Sequence, residues 1–173
     1  GERRPAFERD PRPHGMSAAM NDDQLFAFED DFVTSLRCIP MAVRLKLDRS
    51  GIKLSLRQWS RFAREDRLEL LETPCGAAAE VAAYRARLVE LVALRAQEAA
   101  KPLPEAPQAL MELAEEAPPV VISFALSVGV APPTTRQWRR LTELQRFALI
   151  KLTRDSHDNV NFVPAMREFG LAV

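Results

Sequence analysis

The sequence predicts an all-α protein: a helical bundle built from two related, duplicated three-helix units plus a long connecting helix. Three observations carry this expectation. No segment alternates apolar and polar residues with the period of two that a half-buried strand requires. Shifting the chain by 79 residues aligns Pro40 to Thr73 with Pro119 to Leu152 without a gap. Between the matching stretches lies "AAAEVAAYRARLVELVALRAQEAA", an Ala-rich segment of high helix propensity.

Eight pairs in that self-match are identical, against roughly two expected by chance. They are Pro40/Pro119, Leu47/Leu126, Arg57/Arg136, Gln58/Gln137, Trp59/Trp138, Arg61/Arg140, Arg67/Arg146 and Leu70/Leu149. Both tryptophans of the chain thus stand in one Arg-Gln-Trp setting. Two copies at so long a period do not make a solenoid, so two helical units packed face to face are expected.

The elements follow in order. Residues 1–22, "GERRPAFERDPRPHGMSAAMND", are rich in Arg and Pro and read as a disordered leader, with Met16 and Met20 as alternative starts. Residues 23–173 form one domain, with unit one at about 25–75 and unit two at about 104–153. A first helix is expected over 25–37, with Phe28, Phe32 and Leu36 on one side, and its counterpart over 107–117. Pro40 and Pro119 suit the first turn of a helix, where the missing N–H costs nothing, and Gly51 and Gly129 suit its end. Ser55-x-x-Gln58 and Thr134-x-x-Gln137 are capping boxes that start a further helix in each unit. One apolar face of that helix is expected to carry Trp59, Phe62, Ala63 and Leu70, the other copy carrying Trp138, Leu141, Thr142 and Leu149. The connecting helix spans about 77–99, with Val81, Tyr84, Leu88, Leu91 and Val92 as its stripe. Pro102, Pro104 and Pro107 make 101–107 a hinge. A last helix, "FVPAMREF", docks through Phe162, Met166 and Phe169.

Composition narrows the chemistry. Twenty-four basic residues balance 24 acidic ones, where a general polyanion binder would show a basic excess. The longest apolar run, around "VVISFAL", is about half of what a membrane span needs, so no membrane association is expected. Cys38 and Cys75 lie far apart, outside any metal-binding spacing. Cys38 would be a nucleophile if a helix N-terminus lowered its pKa; a small buried hydrophobe is the simpler reading for both thiols. Glu29, Asp30 and Asp31 suggest a metal or acid/base pair, but a helix N-terminus favours carboxylates on dipole grounds alone. His14 falls in the leader, and His157 in the polar turn "RDSHDN". No catalytic, cofactor or metal residue is therefore assigned.

"VRLKLDR", residues 43–49, spreads Arg44, Lys46, Asp48 and Arg49 around a short helix, where the second copy has Ser123, Ala125, Ser127 and Val128. The apolar copy, "VVISFAL", reads as a buried helix at the centre, and the charged copy then either faces a partner or is merely exposed. Arg67 and Arg146, eight residues after each Trp, are expected to make ion pairs or helix caps. The capped helix bearing Arg57, Arg61, Arg64 and Arg67 has the outline of a DNA-reading helix-turn-helix. Its interleaved Glu65, Asp66, Glu69 and Glu72 argue against nucleic acid.

"FEDDFVTSLRCIPMAVRLKLDRSGIKLSLRQWSRFAREDRLELLETPC", residues 28–75, resembles the bacterial nitrate reductase-associated protein family. The phrases that carry the likeness are Phe28-Glu29 with Asp31-Phe32, "LRCIPMAVRLKLD", "GIKL", and Trp59 followed by Arg67 and "PC". The resemblance implies a non-catalytic accessory protein of nitrate assimilation, supporting the activity, maturation or stability of a cytoplasmic molybdenum nitrate reductase. Its partner would be the reductase or its maturation machinery, bound by a face including Arg37, Cys38, Arg44, Lys46, Asp48 and Arg49. Trp59, Trp138, Arg67, Arg146, Ser55, Gln58, Thr134 and Gln137 would be structural. The alternative is a regulatory helical module of nitrate metabolism that binds nucleic acid or another protein.

Overall fold

A computed structural model describes residues 24–29, 35–104, 115–154 and 157–171. These form eight α-helices: α1 (Met41–Ser50), α2 (Leu56–Arg61), α3 (Arg64–Glu72), α4 (Ala78–Leu91), α5 (Pro119–Ser127), α6 (Thr135–Arg140), α7 (Glu143–Leu152) and α8 (Phe162–Glu168). A π-helical turn, Val92–Ala96, extends α4, and 3-10 turns occupy Ala27–Glu29 and His157–Asn161. Two short strands, β1 (Ile52–Lys53) and β2 (Lys101–Pro102), pair antiparallel, Ile52 opposite Pro102 and Lys53 opposite Lys101. The chain is mainly helical, as expected. The proline-rich segment is nonetheless tied at its start, where Leu103 N–H also donates to Gly51 O at 2.9 Å.

Local chemistry explains most boundaries. Gly51 ends α1 at φ +68°, a left-handed conformation that glycine adopts without steric cost. Both expected capping boxes are present: Ser55 Oγ accepts from Gln58 N–H at 3.1 Å while Gln58 Oε1 accepts from Ser55 N–H, and Thr134 and Gln137 do the same. The connecting helix buries Tyr84, Leu88, Leu91 and Val92, with Val81 partly covered, but its regular part stops at Leu91. Gln97, at φ +56°, closes the π-turn.

The expected long helix after each capping box is two helices instead. Phe62 and Ala63 are extended between α2 and α3, and Leu141 and Thr142 between α6 and α7. Each new helix has its own N-terminal acceptor. Thr142 and Gln145 form a further capping box, with bonds of 3.0 and 3.1 Å. Asp66 Oδ2 accepts from Ala63 N–H at 2.9 Å, the return half of such a box, because Ala63 has no side-chain oxygen. Thr142-x-x-Gln145 is legible in the sequence and marks the break.

The expected helix over 25–37 is corrected too. Among the described residues only Ala27–Glu29 turn helically, and Leu36 adopts φ +56°, which interrupts any helix. Phe32, Asp30 and Asp31 lie outside the described residues, as do residues 107–114 of its counterpart and the leader.

At the centre sits α1, which packs against α3, α4 and α7. Eight of its ten residues are buried. Helix α5, which aligns with α1 in the 79-residue self-match, packs on α7 and buries only Val121 and Ala125 fully. This reverses the expectation, in which the charged helix faced outward and the apolar one inward. At the C-terminus, α8 buries Phe162, Ala165 and Met166. Phe169, just beyond α8, stacks edge-on against Phe26 and Phe28, joining the first and last described segments.

Candidate functional site

The segment singled out by its charge runs from Arg37 to Arg49, and the structure divides it. Arg37 is exposed; Cys38 and Arg44 are half-buried, Arg44 Nε donating to Ile39 O at 3.2 Å. Lys46, by contrast, is 1% exposed. Its ammonium donates to Leu71 O and Thr73 O at the C-terminal end of α3, where a cation offsets the helix dipole and satisfies carbonyls that lack an intrahelical donor. Lys46 Nζ also lies 6.0 Å from the centroid of the Tyr84 ring. Cys75 is buried, and its thiol lies 3.8 Å from Lys46 O.

Asp48 and Arg49 are directed at α7. Lys151 Nζ stands 2.9 Å from Asp48 Oδ2, an ion pair without hydrogen-bond alignment at that oxygen. Arg49 Nη2 donates to Glu143 Oε2 at 2.7 Å, and Arg49 Nη1 to Cys75 O at 3.3 Å. Glu143 opens α7 and Lys151 lies in its last turn, so two adjacent residues of α1 hold the two ends of one helix. The six candidate residues therefore do not share one exposed face. The burial of Lys46 and Asp48 and the partial burial of Arg49 have an internal reason: one end of α3 and both ends of α7 use their charge.

The tryptophans lie in the core. Trp59 and Trp138 are wholly buried. Trp59 Nε1 donates to Leu36 O at 2.8 Å. Arg67 reaches back from α3, giving Nε to Trp59 O at 3.1 Å, Nη2 to Ser60 O at 3.1 Å and Nη1 to Leu36 O at 3.0 Å. Arg146 repeats this in the second half, Nε to Trp138 O and Nη2 to Arg139 O, both at 3.0 Å. Of the two expectations for these arginines, helix capping is the one observed: each closes the last carbonyls of the preceding short helix.

Sequence reasoning missed a buried carboxylate cluster. Asp66, 5% exposed, accepts from Arg95 Nε at 2.8 Å and faces Arg87 Nη2 at 4.0 Å. Burial opposes its ionisation, but Arg95, the Ala63 N–H and Arg87 outweigh that and hold the carboxyl below its usual range. Arg87 in turn binds Glu69 through two bonds of 2.9 and 3.0 Å. Glu29 is the opposite case: burial raises its pKa despite N–H donors at Phe26 and Met41. Its Oε1 accepts from Met41 N–H at 2.7 Å and so caps α1, which begins after a proline with no side-chain cap. Glu168 of α8 accepts from Ala27 and Phe28 N–H. No local pattern marks these pairings, because most of the partners lie far apart in sequence.

Among the described residues no three His, Cys, Asp or Glu side chains are grouped so as to hold a metal ion, and no helix is long and apolar enough to cross a membrane. A surface concavity of about 570 Å³ lies beside α3, lined by Glu65, Leu68, Glu69, Glu72, Thr73 and Pro74. None of the candidate residues lines it.

A family described as conserved nitrate reductase-associated protein matches residues 25–169. No curated protein and no solved structure matches.

Proposed function

The chain belongs to the family of conserved nitrate reductase-associated proteins, and from that membership we propose that it is a non-catalytic accessory protein of nitrate assimilation. In this reading it binds a cytoplasmic molybdenum nitrate reductase, or the machinery that matures it, and sustains the reductase's activity or lifetime. The family match, running from the first buried aromatics to the last, is the observation that carries the reading. Of the charged segment, Arg37, Cys38 and Arg44 keep surface that a partner can reach.

The same reading takes the two halves of the chain as copies of one helical unit. Its support is the repeated hydrogen-bond set: the Ser55 and Thr134 capping boxes, and Arg67 and Arg146 each closing back on the Trp eight residues before.

The test is nitrate reductase activity in extracts of a strain lacking the gene, with reductase protein and transcript measured in the same extracts. Lower activity at unchanged transcript is expected. A matching fall in reductase protein indicates stabilisation, and inactive protein at normal level indicates maturation. Unchanged activity and unchanged growth on nitrate would sink the proposal.

A further inference from the structure

Helices α2 and α6 correspond in the 79-residue self-match, and each carries Arg-Gln-Trp with a second arginine four residues after the first. Positions four apart share one face of a helix, and the position two after the first turns the opposite way. Arg57 and Arg61 therefore point away from Trp59, as Arg136 and Arg140 point away from Trp138. All four arginines are exposed and both tryptophans are buried. Packing accounts for the tryptophans and capping for the glutamines; neither calls for an arginine at the outward positions.

On α2 the Arg-Gln pair holds a carboxylate. The π-helical turn Val92–Ala96 packs on α2, and Glu98 follows it. Arg57 Nη1 lies 3.0 Å from Glu98 Oε1, and Gln58 Nε2 donates to Glu98 Oε2 at 2.8 Å. Two adjacent side chains thus hold the two oxygens of one carboxylate. Gln58 is able to do so because capping uses the other end of its amide, Oε1 accepting from Ser55 N–H at 3.0 Å.

The same donors stand on α6. Gln137 Oε1 accepts from Thr134 N–H at 2.9 Å, which orients the amide as in Gln58 and keeps Nε2 for a second partner. Gln137 is half-buried, whereas Gln58, beneath Glu98, is 6% exposed. Among the described residues Arg136 makes no ion pair, and Gln137 makes no side-chain hydrogen bond beyond its capping box.

Charge narrows what fits. From Ala117 to Thr142 the chain carries Arg136, Arg139 and Arg140 and no other charged residue, although its 24 basic and 24 acidic residues balance overall. Arg139 already holds a carboxylate, its Nη2 donating to Glu115 Oε2 at 2.9 Å. This face is locally cationic and favours an anionic counterpart. An exposed, convex helix face does not enclose a small ligand, and a neutral chain lacks the basic excess of a polyanion binder. A carboxylate borne on a protein surface, as Glu98 is, meets both conditions.

We propose that Arg136 and Gln137 clamp a glutamate or aspartate side chain of a partner protein, through the guanidinium and through Nε2, as Arg57 and Gln58 clamp Glu98. Arg140, on the same face, adds to the attraction. The inference names a surface for the partner that the accessory reading requires, and rests on that reading for its setting, growth on nitrate.

The experiment places the photo-crosslinking residue p-benzoylphenylalanine at Thr135, exposed beside the clamp, in the full chain in cells growing on nitrate. Adducts are isolated and the crosslinked segment is sequenced. The expected result is an acidic segment of another protein, with Asp or Glu within one helical turn of the attachment point. Gln137→Glu keeps an oxygen for the capping box, where glutamate is a normal partner, and replaces the Nε2 donor by a carboxylate oxygen. It should cut the adduct about tenfold or more at an unchanged thermal midpoint. Arg61→Glu, a larger charge change on α2, should leave the yield unchanged. Arg136→Glu should also cut the adduct, and arginine in place of the partner's acidic residue should restore it. Arg136→Glu carries the test by itself if Gln137→Glu fails to fold.

An adduct to a second copy of this chain, to nucleic acid or to a segment without Asp or Glu overturns the proposal. So do no adduct, a yield that both site variants leave intact, or an equal fall with Arg61→Glu. If the expected adduct forms on a protein other than the reductase and deletion leaves reductase activity intact, the accessory reading fails while the clamp stands. If deletion lowers activity and the site variants leave the adduct intact, the reverse holds.

Discussion

Trp59 and Arg67 donate to one acceptor: Nε1 of the indole and Nη1 of the guanidinium meet the carbonyl oxygen of Leu36 at 2.8 and 3.0 Å. Leu36 is buried and held at φ +56°, a conformation a leucine rarely adopts. The two donors fix that carbonyl, while the rest of Arg67 closes the end of α2. The pair therefore locks three pieces of chain: the loop before α1, α2 and α3.

Because the donors share an acceptor, their substitutions should not add. Trp59→Phe keeps most of the ring but removes the N–H, and should cost about 1–3 kcal/mol. Arg67→Lys, which loses the fork on a half-exposed side chain, should cost about 1–2 kcal/mol. A double-mutant cycle by urea denaturation should show coupling of at least about 0.5 kcal/mol. Additive losses would mean that the shared carbonyl is unimportant.

Lys46 is buried against the carbonyls that end α3. Lys46→Glu puts a carboxylate beside those oxygens and should cost more than about 4 kcal/mol, enough to leave little folded protein. Lys46→Met keeps the stem and removes the charge; a loss of about 1–3 kcal/mol is expected. Chemical denaturation of both variants checks the order.

Asp66 makes stability depend on acid. Its folded carboxyl lies below its ordinary value, so the stability it contributes is present above about pH 4 and disappears as pH falls through the folded value. Glu29 has the opposite sign: its raised carboxyl favours the fold below the ordinary glutamate value, and that contribution is lost as pH rises through its folded value. Asp66→Asn should flatten the acid limb of a plot of unfolding free energy against pH. An unchanged limb would show that the Arg95 pair is already broken in solution.

Gln97 is exposed and left-handed, at φ +56° and ψ +37°. Gln97→Gly should stabilise the protein by up to about 1 kcal/mol, since glycine meets no steric penalty there. Thermal unfolding should show a higher midpoint; a lower one would mean that the side chain contributes contacts worth more than the strain.

Short-range chemistry made the helical class, the Ser55 and Thr134 caps, the Gly51 stop and the buried tryptophans legible in the sequence by itself. Each depends on residues a few positions apart, and hydrogen-bonding groups at a helix end have few local partners to choose from. The likeness of residues 28–75 to the nitrate reductase-associated family was legible for a similar reason, as one contiguous string. The break after Phe62 was partly legible: Thr142-x-x-Gln145 signals it in the second half, whereas Ala63 hides it in the first. Tertiary structure alone decided which of the two aligned helices lies inside. "VRLKLDR" reads as a surface helix because charge in water costs nothing, yet Lys46, Asp48 and Arg49 are met by acceptors and counter-charges 25 to 103 residues away. The aligned stretch "VVISFAL" reads as buried by its hydropathy. It stays largely open, because burial depends on what packs against a helix as well as on what the helix carries.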